Sequence, residues 1–125
     1  MTNKQTLRVS LDVEFSDDDI TENILWSGCF QYTWWTDYQE IPGGIRISYC
    51  DPDDDTVPQE HKSVLFNDIR RVMGNMLANA YPNAGGYALA NRQIMDGIRT
   101  GDWDFDAWGS DQIMQIATFG EVVYS

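Results

Sequence analysis

Positive charge is what this sequence has least of. Eight lysines and arginines face 20 aspartates and glutamates, for a net charge of −12. A field of that sign repels nucleic acid and anionic membranes and attracts basic surfaces. The shortage is also uneven. No basic residue lies between Arg8 and Arg46, where eight acids occur, and none follows Arg99, where five acids occur. Charges of one sign without local partners build a coherent potential, whereas mixed charges cancel. Solubility alone is the competing explanation for this balance.

Other absences narrow the chemistry. Histidine occurs once, as His61, with no cysteine or histidine at metal-ligand spacing. A zinc site and a histidine-activated nucleophile are therefore not expected. Two cysteines, Cys29 and Cys50, make no disulfide framework and are expected as reduced thiols. Gly28, Gly43-Gly44 and Gly85-Gly86 read as turn glycines, with no phosphate-cradling loop among them. No apolar run is long enough to cross a membrane. The opening MTNKQTLRVS lacks the apolar region of a signal peptide, which points to a cytosolic protein. Apolar residues at 42% are too many for a disordered chain, and 125 residues suit one domain. No catalytic residue and no cofactor emerge, and a binding protein is expected rather than an enzyme.

Two aspartate clusters carry the 1-3-5 spacing of a calcium loop: Asp51, Asp53 and Asp55, then Asp102, Asp104 and Asp106. Neither continues as such a loop must. The sixth positions are Thr56 and Ala107 rather than glycine, and the twelfth are Lys62 and Ile113 rather than glutamate. No metal is assigned. The stretch from Asp51 to Pro58 reads as an exposed loop. Asp102 to Asp106 reads either as helix capping or as charge presented to a partner. Paired carboxylates could serve acid–base chemistry, but nothing selects a pair.

The patterning gives an α+β fold: a twisted antiparallel sheet of three to four strands with three to four helices packed on one face. Leu7, Val9, Leu11, Val13 and Phe15 alternate with Arg8, Ser10, Asp12 and Glu14, which predicts a half-buried first strand. Ser16 and Asp19 form a capping box for a short helix that stops at Ser27-Gly28. Residues 29 to 38 alternate and are rich in aromatics. Residues 44 to 50 are the returning strand, with Gly43-Gly44 as the two-residue turn and Tyr49 opposite Tyr38. Residues 61 to 66 make a further strand. From an N-cap at Asn67, Ile69, Val72, Met73, Met76, Leu77 and Ala80 mark the clearest amphipathic helix. Ala90, Ile94 and Ile98 mark a second helix ending near Gly101. Phe105, Trp108, Ile113, Ile116 and Ala117 mark a third, for which Asp104, Asp106 and Ser110 are each acceptable caps.

Trp34 and Trp35 are adjacent, so a regular strand points them to opposite faces. One is core. The other, Trp35, then lies on the outer face, either as an interface anchor beside Trp103 and Trp108 or covered by a helix or the chain terminus.

The ending ATFGEVVYS, preceded by Asp111-Gln112-Ile113-Met114-Gln115, resembles that of a family of small acidic bacteriophage and prophage proteins that finish in Phe-Gly-Glu-Val-Val-Tyr-Gly. Gln115, Ala117, Phe119, Gly120, Glu121, Val122, Val123 and Tyr124 match that pattern, and Ser125 departs from the terminal glycine. The match is specific over about fifteen residues and an outline elsewhere. The resemblance implies a phage origin and the cytoplasm of an infected bacterial host, and it carries over no catalytic residue. Small acidic phage proteins without catalytic motifs are often inhibitors of host defence. The expectation is thus an inhibitor of the anti-CRISPR or anti-restriction type that occupies a basic nucleic-acid-binding surface of a host protein or nucleoprotein complex. Asp51, Asp53, Asp54, Asp55, Asp102, Asp104 and Asp106 would supply charge, and Trp103, Trp108 and Trp35 would supply anchors. No direct contact with nucleic acid or membrane is expected, and a homodimer is left open. The alternatives are a sponge for a small nucleotide signal and a phage structural or assembly accessory.

Overall fold

A computed structural model describes residues 5, 7, 10–29, 34–50, 59–78 and 86–124. Helix α1, Asp17–Asn23, starts from the capping box: Ser16 Oγ accepts from the Asp19 N–H at 3.0 Å, and Asp19 Oδ2 accepts from the Ser16 N–H at 2.9 Å. Asp17, Asp18 and Asp19 all lie in its first turn, where the helix dipole favours negative charge. A 3₁₀ turn, Leu25–Ser27, follows, and Gly28 closes it at φ +96°.

Three antiparallel strands come next in the order β1 (Trp35–Ile41), β2 (Gly44–Tyr49) and β3 (Glu60–Leu65). Ile45, Ile47 and Val64 bury one face of this sheet. Arg46, Ser48 and His61 occupy the other. The hairpin register differs from the expected one. The turn is Pro42-Gly43, with Ile41 paired to Gly44, so Tyr38 faces Ile47 and Tyr49 faces Trp35. Proline pre-sets the first turn position and Gly43 takes φ +73°, the combination of a type II turn. Gly44 is a strand residue instead, because a side chain there would meet the Val64 carbonyl across the ladder.

Four helices complete the fold, which is α+β as expected. Helix α2 (Phe66–Leu77) buries Ile69, Val72, Met73 and Met76. It begins two residues earlier than an Asn67 cap requires, with Leu65 at the N-cap. Asp68 reaches back to the Leu65 N–H, and the Asn67 side chain accepts from Arg70. Helix α3 (Ala88–Thr100) buries Ala90, Ile94 and Gly97 and ends at Gly101, in the left-handed region. Helix α4 (Ala107–Phe119) is the central one, with Ile113, Met114, Gln115 and Ile116 buried. Lys62 on β3 donates to the Thr118 carbonyl near the last turn of α4, where a cation complements the dipole. Gln112 accepts from the Ala90 N–H and so satisfies an open donor at the start of α3.

Two expectations fail. The alternating segment before α1 is not a strand over residues 10–16. Of its apolar residues Phe15 is buried, whereas Leu7, Leu11 and Val13 are 87%, 67% and 41% exposed. Alternation makes a strand possible, but a strand also needs a neighbour to bond with, and the sheet has order β1-β2-β3 without it. Trp35 is likewise not a surface anchor: Trp34 and Trp35 are both buried, at 1% and 4% exposure. Trp34 precedes β1, so strand alternation does not govern the pair, and the ladder shifts register again between Trp35 and Asp37. The two indoles meet edge-on at 4.9 Å.

Candidate functional site

The first and last acidic stretches of the described chain lie side by side. Phe15 packs edge-on against Trp103 at 4.7 Å and against Phe105 at 6.2 Å, and Trp103 lies parallel to Phe105 at 6.0 Å. Both stretches are extended and alternate an acid with an apolar residue. Extended backbone sends successive side chains to opposite sides. Phe15, Trp103 and Phe105 therefore turn inward, while Asp12, Glu14, Asp102, Asp104 and Asp106 are exposed. Trp103 is half-buried and lies across Gly97, where any side chain would collide with its ring. It anchors this arrangement from within and also lines the adjoining surface groove.

Charge on this ridge is left unbalanced by the fold. Arg70 bonds to Asp17 at 2.7 Å and to the Phe15 carbonyl at 3.1 Å, which ties the N-terminal stretch to α2. Arg71 is paired with Asp68 and Arg99 with Asp96. None of the ion pairs among the described residues involves Asp12, Glu14, Asp102 or Asp104. Asp106 has a structural duty: its carboxylate accepts from the Gly109 N–H at 2.7 Å and caps α4. Of the candidate aspartates, Asp102 and Asp104 stay free for a partner. Asp51, Asp53, Asp54 and Asp55 lie outside the described residues.

Two exposed tryptophans flank the ridge. Trp108 is 61% exposed on the first turn of α4, and Trp26 is 67% exposed on the 3₁₀ turn. Gly28 approaches Ala107, so both indoles sit within two residues of one contact. Trp26 was not legible as a surface residue, because it follows directly on the core residues Ile24 and Leu25.

A second polar grouping occupies the outer sheet face. Asp37, Ser48 and His61 form one cross-strand row, with Gln39 and Arg46 in the next. Ser48 Oγ and His61 Nδ1 are 2.8 Å apart. These five residues line a polar hollow of about 150 Å³. The pairing of residues 48 and 61 depends on the β2–β3 register and has no signature in the sequence. No family model, curated protein or solved structure matches this chain. Among the described residues, no three of histidine, cysteine, aspartate and glutamate are grouped as metal ligands. No helix there is long and apolar enough to cross a membrane.

Beneath the surface lies a buried polar knot. The Trp34 indole N–H donates to Asp111 Oδ1 at 2.7 Å, and Gln115 Nε2 donates to Asp111 Oδ2 at 2.7 Å. Burial pushes the Asp111 carboxyl above the usual aspartate range, against the lowering effect of these two hydrogen bonds. Burial likewise pushes the nearby Cys29 thiol up to about 12, so it is not a reactive thiolate. Asp111→Asn is expected to lose about 1–2 kcal/mol near neutral pH, because the amide can accept from one donor but turns its own NH₂ toward the other. The raised carboxyl also sets a sign. A group whose folded-state pKa lies above its unfolded value contributes stability below the unfolded pKa and loses it as pH rises through the folded one. Wild type should thus gain on the asparagine variant as pH falls from about 7 to about 4. Urea titrations of both proteins across that range check it, and a gap that stays flat or narrows refutes it.

Proposed function

We propose that this chain is a non-catalytic, phage-encoded binding protein. It inhibits a host defence complex, of the anti-CRISPR or anti-restriction kind, by occupying a basic surface that otherwise holds nucleic acid. The reading rests on one observation above the others. Two sequence-distant stretches are brought together so that Asp12, Glu14, Asp102 and Asp104 share an exposed ridge and join no ion pair among the described residues, while Arg70, Arg71 and Arg99 are paired with Asp17, Asp68 and Asp96. Carboxylates in such a row compete for cationic side chains on the electrostatic term that dominates phosphate binding. Trp26 and Trp108 supply apolar contact area beside the charge. The resemblance of the C-terminal stretch to small acidic phage proteins supports the phage origin and a site of action in the infected bacterial cytoplasm.

The test is binding to a purified CRISPR effector or restriction complex as salt is raised. Affinity should fall by at least about tenfold between about 50 mM and 200 mM salt. The double variant Asp102→Asn with Asp104→Asn should weaken binding by about tenfold at low salt and flatten the salt dependence. Affinity indifferent to both salt and these substitutions rules out charge mimicry.

One observation favours a second reading, a sponge for a small nucleotide signal. Arg46 makes no ion pair among the described residues and shares the sheet-face hollow with Ser48 and His61, a set that can donate to a phosphate. A thermal-shift screen with nucleotides separates the two readings: stabilisation that Arg46→Ala abolishes selects the sponge.

A further inference from the structure

Next to the acidic ridge the surface opens into an apolar groove of about 200 Å³. Leu11 and Val13, Met73 and Leu77 of α2, Ile98 of α3 and Trp103 line it. Three features mark it as built to receive something. Leu11 is 67% exposed and Val13 41% exposed, so the groove is not closed by its own walls. Gly74 lies along the groove in the interior of α2, and a Cβ there would meet nothing within 4 Å. Glycine is the poorest helix former after proline, and here its lack of a side chain keeps the groove open. Acids gather beside it: Asp12 and Glu14 alternate with Leu11, Val13 and Phe15, and Asp102 and Asp104 flank Trp103. Arg70, the cation that also lines the groove, is held by Asp17.

We infer that this groove seats one bulky apolar side chain from a cationic segment of the partner protein, with the partner's lysines or arginines engaging Asp12, Glu14, Asp102 and Asp104. The inference rests on the reading of the ridge as a docking surface for basic protein, and adds to it the anchor that charge alone lacks. Size and charge both select this occupant. A dry cavity of about 150 Å³ takes up benzene, so about 200 Å³ holds one leucine or aromatic side chain and little more. A second copy of this chain brings the same negative rim, and two such rims repel. A cationic segment meets both requirements at once.

The experiment uses two fluorescein-labelled peptides of equal charge, each with alternating lysine and arginine around one central residue, leucine in the first and serine in the second. Anisotropy at low salt should show the leucine peptide binding at least about tenfold tighter. Gly74→Phe fills the groove from a position with free space, and should erase the leucine preference while leaving salt-sensitive binding of both peptides. The double variant Asp102→Asn with Asp104→Asn should weaken both peptides alike and keep the preference. A thermal melt of Gly74→Phe no lower than wild type shows that the fold is intact. Equal affinity for the two peptides, or a leucine preference that persists in Gly74→Phe, overturns the groove while salt-sensitive binding leaves the ridge standing. Failure of both peptides to bind at low salt removes groove and ridge together. A concentration-dependent dimer of wild type that Gly74→Phe dissolves overturns the inference in favour of self-association.

Discussion

Trp34→Ala is expected to destabilise the protein by about 4 kcal/mol or more, the largest effect of any single substitution considered. Two losses combine. Trp34 is 1% exposed and packs against the ring of its neighbour Trp35 at 4.9 Å and, from the far end of the chain, those of Phe119 at 5.2 Å and Tyr124 at 6.3 Å. Truncating a buried tryptophan to alanine costs about 3–5 kcal/mol through lost transfer energy and the cavity left behind. The indole N–H is also one of the two donors to the buried Asp111 carboxylate. Taking it away leaves a buried acceptor half-satisfied, which adds about 1–3 kcal/mol. Trp34→Phe separates the two. It keeps most of the ring contacts, removes the donor, and should cost about 2 kcal/mol in urea titrations. A phenylalanine variant within about 0.5 kcal/mol of wild type would mean that Asp111 does not depend on the indole.

The uneven legibility of the chain follows from which interactions are local. The box at Ser16 and Asp19, the stripe of Ile69, Val72, Met73 and Met76, and the left-handed glycine at 101 are set within a few residues, and periodicity reveals them. The hairpin was legible as a hairpin but not in register, because Pro-Gly and Gly-Gly are both credible turns and only the packing of Gly44 against Val64 decides between them. The stretch before α1 has the period of a strand without the partner of one. Its alternation serves another end: it turns Phe15 toward Trp103 while Asp12 and Glu14 stay in water. The same device recurs at Asp102 to Asp106, where acids alternate with Trp103 and Phe105. What the sequence could not reveal is that these two stretches are neighbours, since the contact spans nearly the whole chain. Nor could it divide the aspartates by role. Asp106 caps a helix and Asp102 and Asp104 do not, and the difference lies in where α4 begins.

These two halves of the protein have separate tasks. The ridge and its groove are carried by extended backbone, braced by Arg70 and by the three-ring cluster of Phe15, Trp103 and Phe105. The far end of α4 fixes the chain's last stretch against the core. Substitutions at Asp102 and Asp104 should therefore alter binding without lowering stability. Like charges brought together by folding repel, and their neutral variants relieve that repulsion. Substitutions around Asp111 should do the reverse.

Gln115→Leu tests that separation, and should cost about 3 kcal/mol while releasing the terminal stretch. Gln115 is fully buried and uses both ends of its amide. Its Oε1 accepts from the Val123 N–H at 2.8 Å and the Tyr124 N–H at 2.7 Å, and its Nε2 donates to the Tyr124 carbonyl at 2.6 Å and to Asp111 Oδ2. The side chain thus treats the tail as a neighbouring strand would, satisfying backbone donors and acceptor together. Gly120, at φ +77°, turns the chain back after α4 so that the tail can reach it. Tyr124 then closes on Phe119 at 5.8 Å. Leucine matches the volume but offers no hydrogen bond, so Asp111 loses a donor and three backbone groups lose their partner. Hydrogen exchange gives the local readout: the Val123 and Tyr124 amides should exchange faster in Gln115→Leu by more than the global loss of stability explains. Exchange at those two amides that merely follows the global change would show that the tail is not held by Gln115. Gln115→Glu sharpens the point, because a carboxylate can still accept from both amides but cannot donate to Asp111. Two buried carboxylates would then face each other, and one must take up a proton. That variant should be markedly unstable near neutral pH and recover as pH falls, by more than the leucine variant, in which Asp111 alone is left to take up the proton.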